Sequence, residues 1–253
     1  MSEFPIPEDL RASHWCWGEA ITDEMSKALE ESLEGKVGPR DDKRKLADAL
    51  RGNATLKYLA FWAGYTTQYL LDSISTIKSL ERLAFGYLRA SDISGLANLK
   101  NLRYLSITSL SSADTLKPLT ELQNLVSLGF GFSSKITSLE DFSTNSLLSL
   151  RALHLGESSE RVVTVDSLEP LSAIPSLEYI AIGRIRTKDR SLACFLELPD
   201  LKALEIDKNA KFACADIDAL KSRGISPSMF ELRRPIETAT HYGRSLPSEA
   251  SGS

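Results

Sequence analysis

The sequence predicts a curved α/β solenoid, a single stack of short repeats with a parallel sheet along its inner side, and three observations carry that prediction. A phrase of the form Leu-x-x-Leu-x-apolar, with Ile in the fourth place once, occurs seven times, beginning at Leu56, Leu80, Leu102, Leu125, Leu150, Leu177 and Leu201. The starting positions are separated by 24, 22, 23, 25, 27 and 24 residues, within the roughly 20 to 29 expected of a repeat that contributes one strand. Between the phrases runs a second apolar pattern of period three, as in Ile93, Leu96 and Leu99 before Leu102, or Leu192, Phe195 and Leu198 before Leu201.

One short strand cannot bury its apolar side alone, so the phrase makes sense only in a stack. Its fourth and sixth residues alternate inward with the strand period of two, while the third, fifth and seventh face the opposite surface. A period of three between strands suits a 3₁₀ turn, in which residues three apart lie on one side. Each repeat is thus a thin wedge, strand on one side and tight helical turn on the other, and stacked wedges form an arc.

The flanking segments read as caps. In residues 1–55, Trp15 and Trp17 alternate with His14, Cys16 and Gly18 in a strand-like pattern. A helix then starts after Thr22 at Asp23-Glu24, buries Met25, Ala28, Leu29 and Leu33, and ends at Gly35. A second helix is expected from Asp42 through Leu46 and Leu50 to Gly52. The seven repeats occupy 56–225, and a closing strand around Met229-Phe230-Glu231-Leu232 lies in a carboxy-terminal cap of residues 226–235. Beyond Pro235, residues 236–253 are rich in Ser, Thr, Gly and Pro, so a tail without fixed structure is expected, with His241 and Tyr242 its only notable residues.

The segments Ile93-Ser94-Gly95-Leu96-Ala97-Asn98-Leu99-Lys100-Asn101-Leu102 and Leu116-Lys117-Pro118-Leu119-Thr120-Glu121-Leu122-Gln123-Asn124-Leu125 resemble bacterial leucine-rich repeats of the internalin type. The resemblance extends over residues of about 56 to 225. The family places an Asn five residues after the fourth-position leucine, where stacked side chains satisfy backbone groups at the turn. Here those positions hold Gly64, Leu88, Leu110, Ser133, Ser158, Ile185 and Asn209. The turn must therefore be held in another way, by backbone bonding or by packed apolar residues such as Leu88 and Leu110.

Thirty basic against 34 acidic residues give a formal charge of −4, so nothing drives the chain towards nucleic acid or an anionic membrane. No apolar run is long enough to span a bilayer, and the acidic start from Met1 to Asp9 has no apolar core of a secretory signal, which leads to an expectation of cytoplasmic residence. Cys16, Cys194 and Cys214 make an odd count without metal-like pairing and read as buried reduced thiols. His14, His154 and His241 lie far apart in the pattern, and no phosphate loop, zinc-ligand spacing or nucleophile elbow is present. The expectation is a non-enzyme with no cofactor and no metal.

Register locates the surface available for recognition. Third positions hold Tyr58, Arg82, Tyr104, Ser127, Ala152, Tyr179 and Ala203; fifth positions hold Ala60, Ala84, Ser106, Gly129, His154, Ala181 and Glu205; seventh positions run from Trp62 through Gly86, Thr108, Gly131, Gly156 and Gly183 to Asp207. A floor of small residues lets a partner approach closely, and Tyr and Trp add contact area at low entropic cost. Tyr58, Trp62, Arg82, Tyr104, His154, Tyr179 and Glu205 are the expected contacts with a protein partner, the chain itself being a monomer. The run Arg184, Arg186, Lys188, Arg190 reads as a solvated loop, or else as a contact with acidic groups. Two other roles fit the same pattern: an immunity or inhibitor protein that neutralises one toxin or enzyme, and a structural array that assembles with itself.

Overall fold

Residues 43–144, 146–156 and 162–230 are described by the computed structural model. Strands β1 (Tyr58–Thr66), β2 (Arg82–Leu88), β3 (Tyr104–Leu110), β4 (Ser127–Phe130), β5 (Ala152–Leu155), β7 (Tyr179–Ile182), β9 (Ala203–Asp207) and β10 (Ser228–Phe230) form one eight-stranded parallel sheet in that order. Each of the seven leucine phrases supplies one of the first seven strands. Their fourth and sixth residues point into the core, and Leu83, Phe85, Leu105, Ile107, Leu128, Phe130, Leu153, Leu155, Leu204 and Ile206 are all buried. The predicted stack of wedges is the fold observed.

On the outer side the period-three leucines wind as expected into 3₁₀ turns at Ser94–Asn98, Glu140–Thr144, Glu169–Ala173 and Ala193–Leu196. Ile93, Leu96 and Leu99 lie on one side of such a turn and are all buried against the sheet. Three connections are α-helical: α2 (Gln68–Ile74), the single turn α3 (Lys117–Thr120) and α4 (Cys214–Ser222). Helix α1 (Lys43–Leu50) packs its Leu46, Ala47 and Leu50 into the core beside α2. Helix α4 ends at Gly224, whose φ of +87° is readily adopted only by glycine. There the Gly224 N–H bonds the Lys221 carbonyl and the Ile225 N–H the Leu220 carbonyl, with Leu220 and Ile225 both buried, closing the last wedge in a Schellman motif. The expected strand at Trp15–Trp17, the helix from Asp23 to Gly35 and the tail from 236 lie outside the described residues.

Two features depart from the simple stack. Pairing of β1 with β2 passes from Phe61↔Phe85 directly to Tyr65↔Tyr87, so Trp62, Ala63 and Gly64 bulge opposite Gly86 alone. The arginine-rich run is not a simple loop either. Its Ile185–Thr187 forms strand β8, paired in parallel with β6 (Val163–Val165) in a second, two-stranded sheet. Lys188 closes an ion pair with Asp166 at 2.6 Å beside it.

The missing asparagine ladder is replaced in two places. At the ends of β2 and β3, Leu88 and Leu110 are fully buried, and the Arg89 and Ser111 N–H groups bond the Thr66 and Leu88 carbonyls of the preceding repeat. Before the strands, a different polar ladder runs from repeat to repeat. Ser79 donates to the Leu56 carbonyl at 2.7 Å, Asn101 to Lys78 at 2.9 Å, Asn124 to Lys100 at 2.8 Å and Ser176 to Leu150 at 2.8 Å. Backbone acceptors that the sheet leaves over are thus satisfied, at four of the seven phrases, by the residue immediately ahead of the phrase.

Candidate protein-binding surface

Sheet register turns the sequence positions into rows across the inner face. The third-position row runs Tyr58, Arg82, Tyr104, Ser127, Ala152, Tyr179, Ala203 without a break, and the fifth-position row runs Ala60, Ala84, Ser106, Gly129, His154, Ala181, Glu205, Ser228. Neighbours in a row stand about 4.8 Å apart, the spacing of adjacent strands. The middle of the face is floored by small side chains, with Ser106, Ser127, Gly129 and Ala152 all buried and Val126 and Tyr179 packed against Ala152.

Around this floor the larger side chains gather at the two ends. At the amino-terminal end, the Arg82 guanidinium carbon lies 4.5 Å from the ring centre of Tyr104 and 5.4 Å from that of Tyr58. Arg103 lies over the Tyr104 ring at 5.8 Å. Tyr104 is only 9 % exposed, so it acts less as an open contact than as the wall supporting Arg82. At the other end His154 and Glu205 are separated in their row only by Ala181, with all the bulk of Tyr179 in the adjoining row. Burial pushes the Glu205 carboxyl above its ordinary range, with the charge of His154 pulling in the opposite direction.

Of the seven expected contacts, Tyr58, Arg82 and Tyr104 are therefore joined in one cluster, and His154, Tyr179 and Glu205 in the opposite half. Trp62 falls in the β1 bulge, so the seventh-position row does not reach it in register, and its side chain lies outside the described residues. Sequence reasoning passed over an exposed aromatic pair beyond that bulge. Tyr65 and Tyr87 meet edge to face at 5.7 Å, each more than 40 % exposed, and Arg89 lies over Tyr65 at 3.2 Å. The signal was a tyrosine two residues after the sixth position of the second phrase, hidden because the bulge displaces its partner. A recess on the outer side, lined by Ser138, Glu140, Asp166 and Glu169 among others, includes none of these residues.

With the rows and convex turns in place, comparison with solved structures decides the fold type. Internalin C2 from Listeria monocytogenes superposes with a TM-score of 0.52 at 20 % identity, covering 83 % of this chain and 86 % of its own. The fold is that of an internalin-type leucine-rich repeat solenoid. An internalin (inlF) of the same organism gives a TM-score of 0.52 at 19 % identity over 86 % of this chain, which spans 60 % of that longer protein. No protein-family model matches the sequence, and no curated protein is similar to it in sequence. Among the described residues of this leucine-rich repeat protein, no group of three or more His, Cys, Asp or Glu is placed to hold a metal ion. Nor is any described helix long and apolar enough to cross a membrane.

Proposed function

We propose that the chain is a non-catalytic recognition module that binds another protein along the inner face of the sheet. The observation that carries this reading is the arrangement of that face: a floor of Ser, Gly and Ala bracketed by the Tyr58–Arg82–Tyr104 cluster on one side and His154, Tyr179 and Glu205 on the other. Tyr and Arg are the side chains that most often dominate binding energy at protein interfaces, and a low floor between them admits a helix or loop. Tyr58, Arg82, His154, Tyr179 and Glu205 make the contacts, with Tyr104 as the support of Arg82.

A cytoplasmic setting fits the cysteines. Cys194 is buried as expected, whereas Cys214, at the start of α4, is exposed; both are free thiols, a state at home in a reducing compartment. The test is affinity capture from a lysate of the source organism, using the full-length chain beside a Tyr58→Ala, Tyr179→Ala double variant of intact fold. A protein retained by the parent chain and lost by the variant is the expected result. Equal retention by both overturns the inner face as the binding surface. A single partner held at nanomolar affinity would narrow the role to an inhibitor or immunity protein.

A further inference from the structure

We infer that the inner face recognises an acidic protein segment, one of whose Asp or Glu carboxylates docks edge-on against the Arg82 guanidinium between Tyr58 and Tyr104. The inference rests on the inner-face reading and specifies the chemistry of what is bound there. Arg82 is half-buried and held by two ring faces, yet among the described residues its guanidinium donates no hydrogen bond and joins no ion pair. The two rings hold the cation by its charge without taking up its N–H donors, which are left for a ligand. Those donors are the part that matches a carboxylate in a two-point hydrogen bond.

The surroundings favour an anion from outside over one from within. Strands β1, β2 and β3 contain no acidic residue. Glu81, which immediately precedes β2, is engaged by Lys57 at 2.7 Å, and Asp72 on α2 accepts from Gln68. Two further arginines repeat the arrangement: Arg89 on the Tyr65 ring and Arg103 on the Tyr104 ring, both without an acceptor among the described residues. Three guanidinium groups resting on tyrosine rings thus gather at this end of the sheet, on a chain whose net charge is −4. That overall charge opposes a nucleic acid and leaves a protein segment with local acidity as the matching partner. Rotamer freedom of Arg82 is already spent on the two rings, so the cost of ordering it on binding is small.

A phage-displayed library of random 12-residue peptides, selected on the immobilised full-length chain, supplies the probe. Selected peptides are synthesised with each acidic residue in turn changed to its amide, and titrated by fluorescence anisotropy against the parent chain, Arg82→Gln, Arg82→Lys and the charge-matched control Lys221→Gln. Circular dichroism melts confirm that each variant is folded. The expected result is enrichment of Asp or Glu at one position, about tenfold or greater weakening with Arg82→Gln, weakening with Arg82→Lys, and no change with Lys221→Gln. The peptide bearing the amide should then bind the parent chain and Arg82→Gln equally. Peptides selected without acidic enrichment, or an amide effect undiminished in Arg82→Gln, overturn the inference. If those peptides are still blocked by Gly129→Tyr, the inner-face reading survives; if they are indifferent to it, that reading fails as well.

Discussion

Arg151 grips Glu178 across adjacent repeats, just ahead of β5 and β7, its Nε donating to Oε1 at 2.6 Å and a terminal nitrogen to Oε2 at 3.1 Å. Lys202 on the following repeat donates to the same carboxylate at 2.6 Å. All three are second residues of their phrases, where Lys57 and Glu81 also pair, so charges of alternating sign run along this row. The Arg151 hydrogen bonds above all hold the Glu178 carboxyl below its ordinary range, against the effect of its burial. Glu178→Gln is expected to cost roughly 1–2 kcal/mol at pH 7 in a urea titration. A carboxylate whose folded pKa is depressed contributes stability above its unfolded pKa of about 4.3 and loses it as pH falls through the folded value. The difference between parent and variant should therefore shrink when the titration is repeated well below pH 4. A difference constant with pH would show that the charge is not the source.

The polar ladder ahead of the strands predicts an inversion of the usual importance of asparagines. Asn124→Ala removes a hydrogen bond to the Lys100 carbonyl and should cost about 0.5–1.5 kcal/mol. Asn209 is the one asparagine at the family's turn position, but it is exposed, and among the described residues only its backbone N–H is bonded, to Asp207. Asn209→Ala should leave the denaturant midpoint unchanged. The reverse ranking would place the structural ladder at the turn.

Phe130 sits at the centre of the stack, fully buried, 4.9 Å from the Phe132 ring centre and 6.1 Å from that of Phe142. Phe130→Ala should cost about 3–5 kcal/mol, since the rigid turns around it limit collapse of the cavity. In a linear array each repeat leans only on its neighbours, so hydrogen exchange should rise first in β4 and β5. A uniform rise along the chain would indicate one global unfolding unit.

The two described cysteines should differ sharply in reactivity. Burial pushes the Cys194 thiol up to about 12, whereas Cys214 lies exposed at the start of α4. In a Cys214→Ser chain, Cys194 is expected to resist a thiol reagent at pH 8 until denaturant is added, as read by mass after digestion. Prompt labelling would mean that the outer turn Ala193–Leu196 opens readily.

Much of the architecture was legible because leucine phrases at a near-constant interval admit one solution, and the rows from Tyr58 to Ala203 and from Ala60 to Glu205 follow from register alone. What was hidden came from interruptions of that register. The bulge at Trp62, Ala63 and Gly64 leaves the spacing of the next phrase intact, so it gives no periodic signal, yet it brings Tyr65 opposite Tyr87. Strands β6 and β8 lie between phrases, where Val163-Thr164-Val165 and Ile185-Arg186-Thr187 are too short to outweigh a loop reading. The clamping of Arg82 was invisible for another reason: a row tells which side chains are neighbours, not which of them spends its surface on the other.

Binding through the inner face is tested most directly at Gly129, which lies between Ser106 and His154 in the middle of the fifth-position row, without a left-handed φ to penalise a side chain. The measurement is the dissociation constant of the captured partner for the parent chain and for Gly129→Tyr, with matching circular dichroism spectra and melts. A tyrosine standing on the floor should weaken binding by at least about a hundredfold, the scale of a central interface clash of 3 kcal/mol or so. Undiminished affinity in a folded Gly129→Tyr chain would contradict an inner-face site and move recognition to another surface.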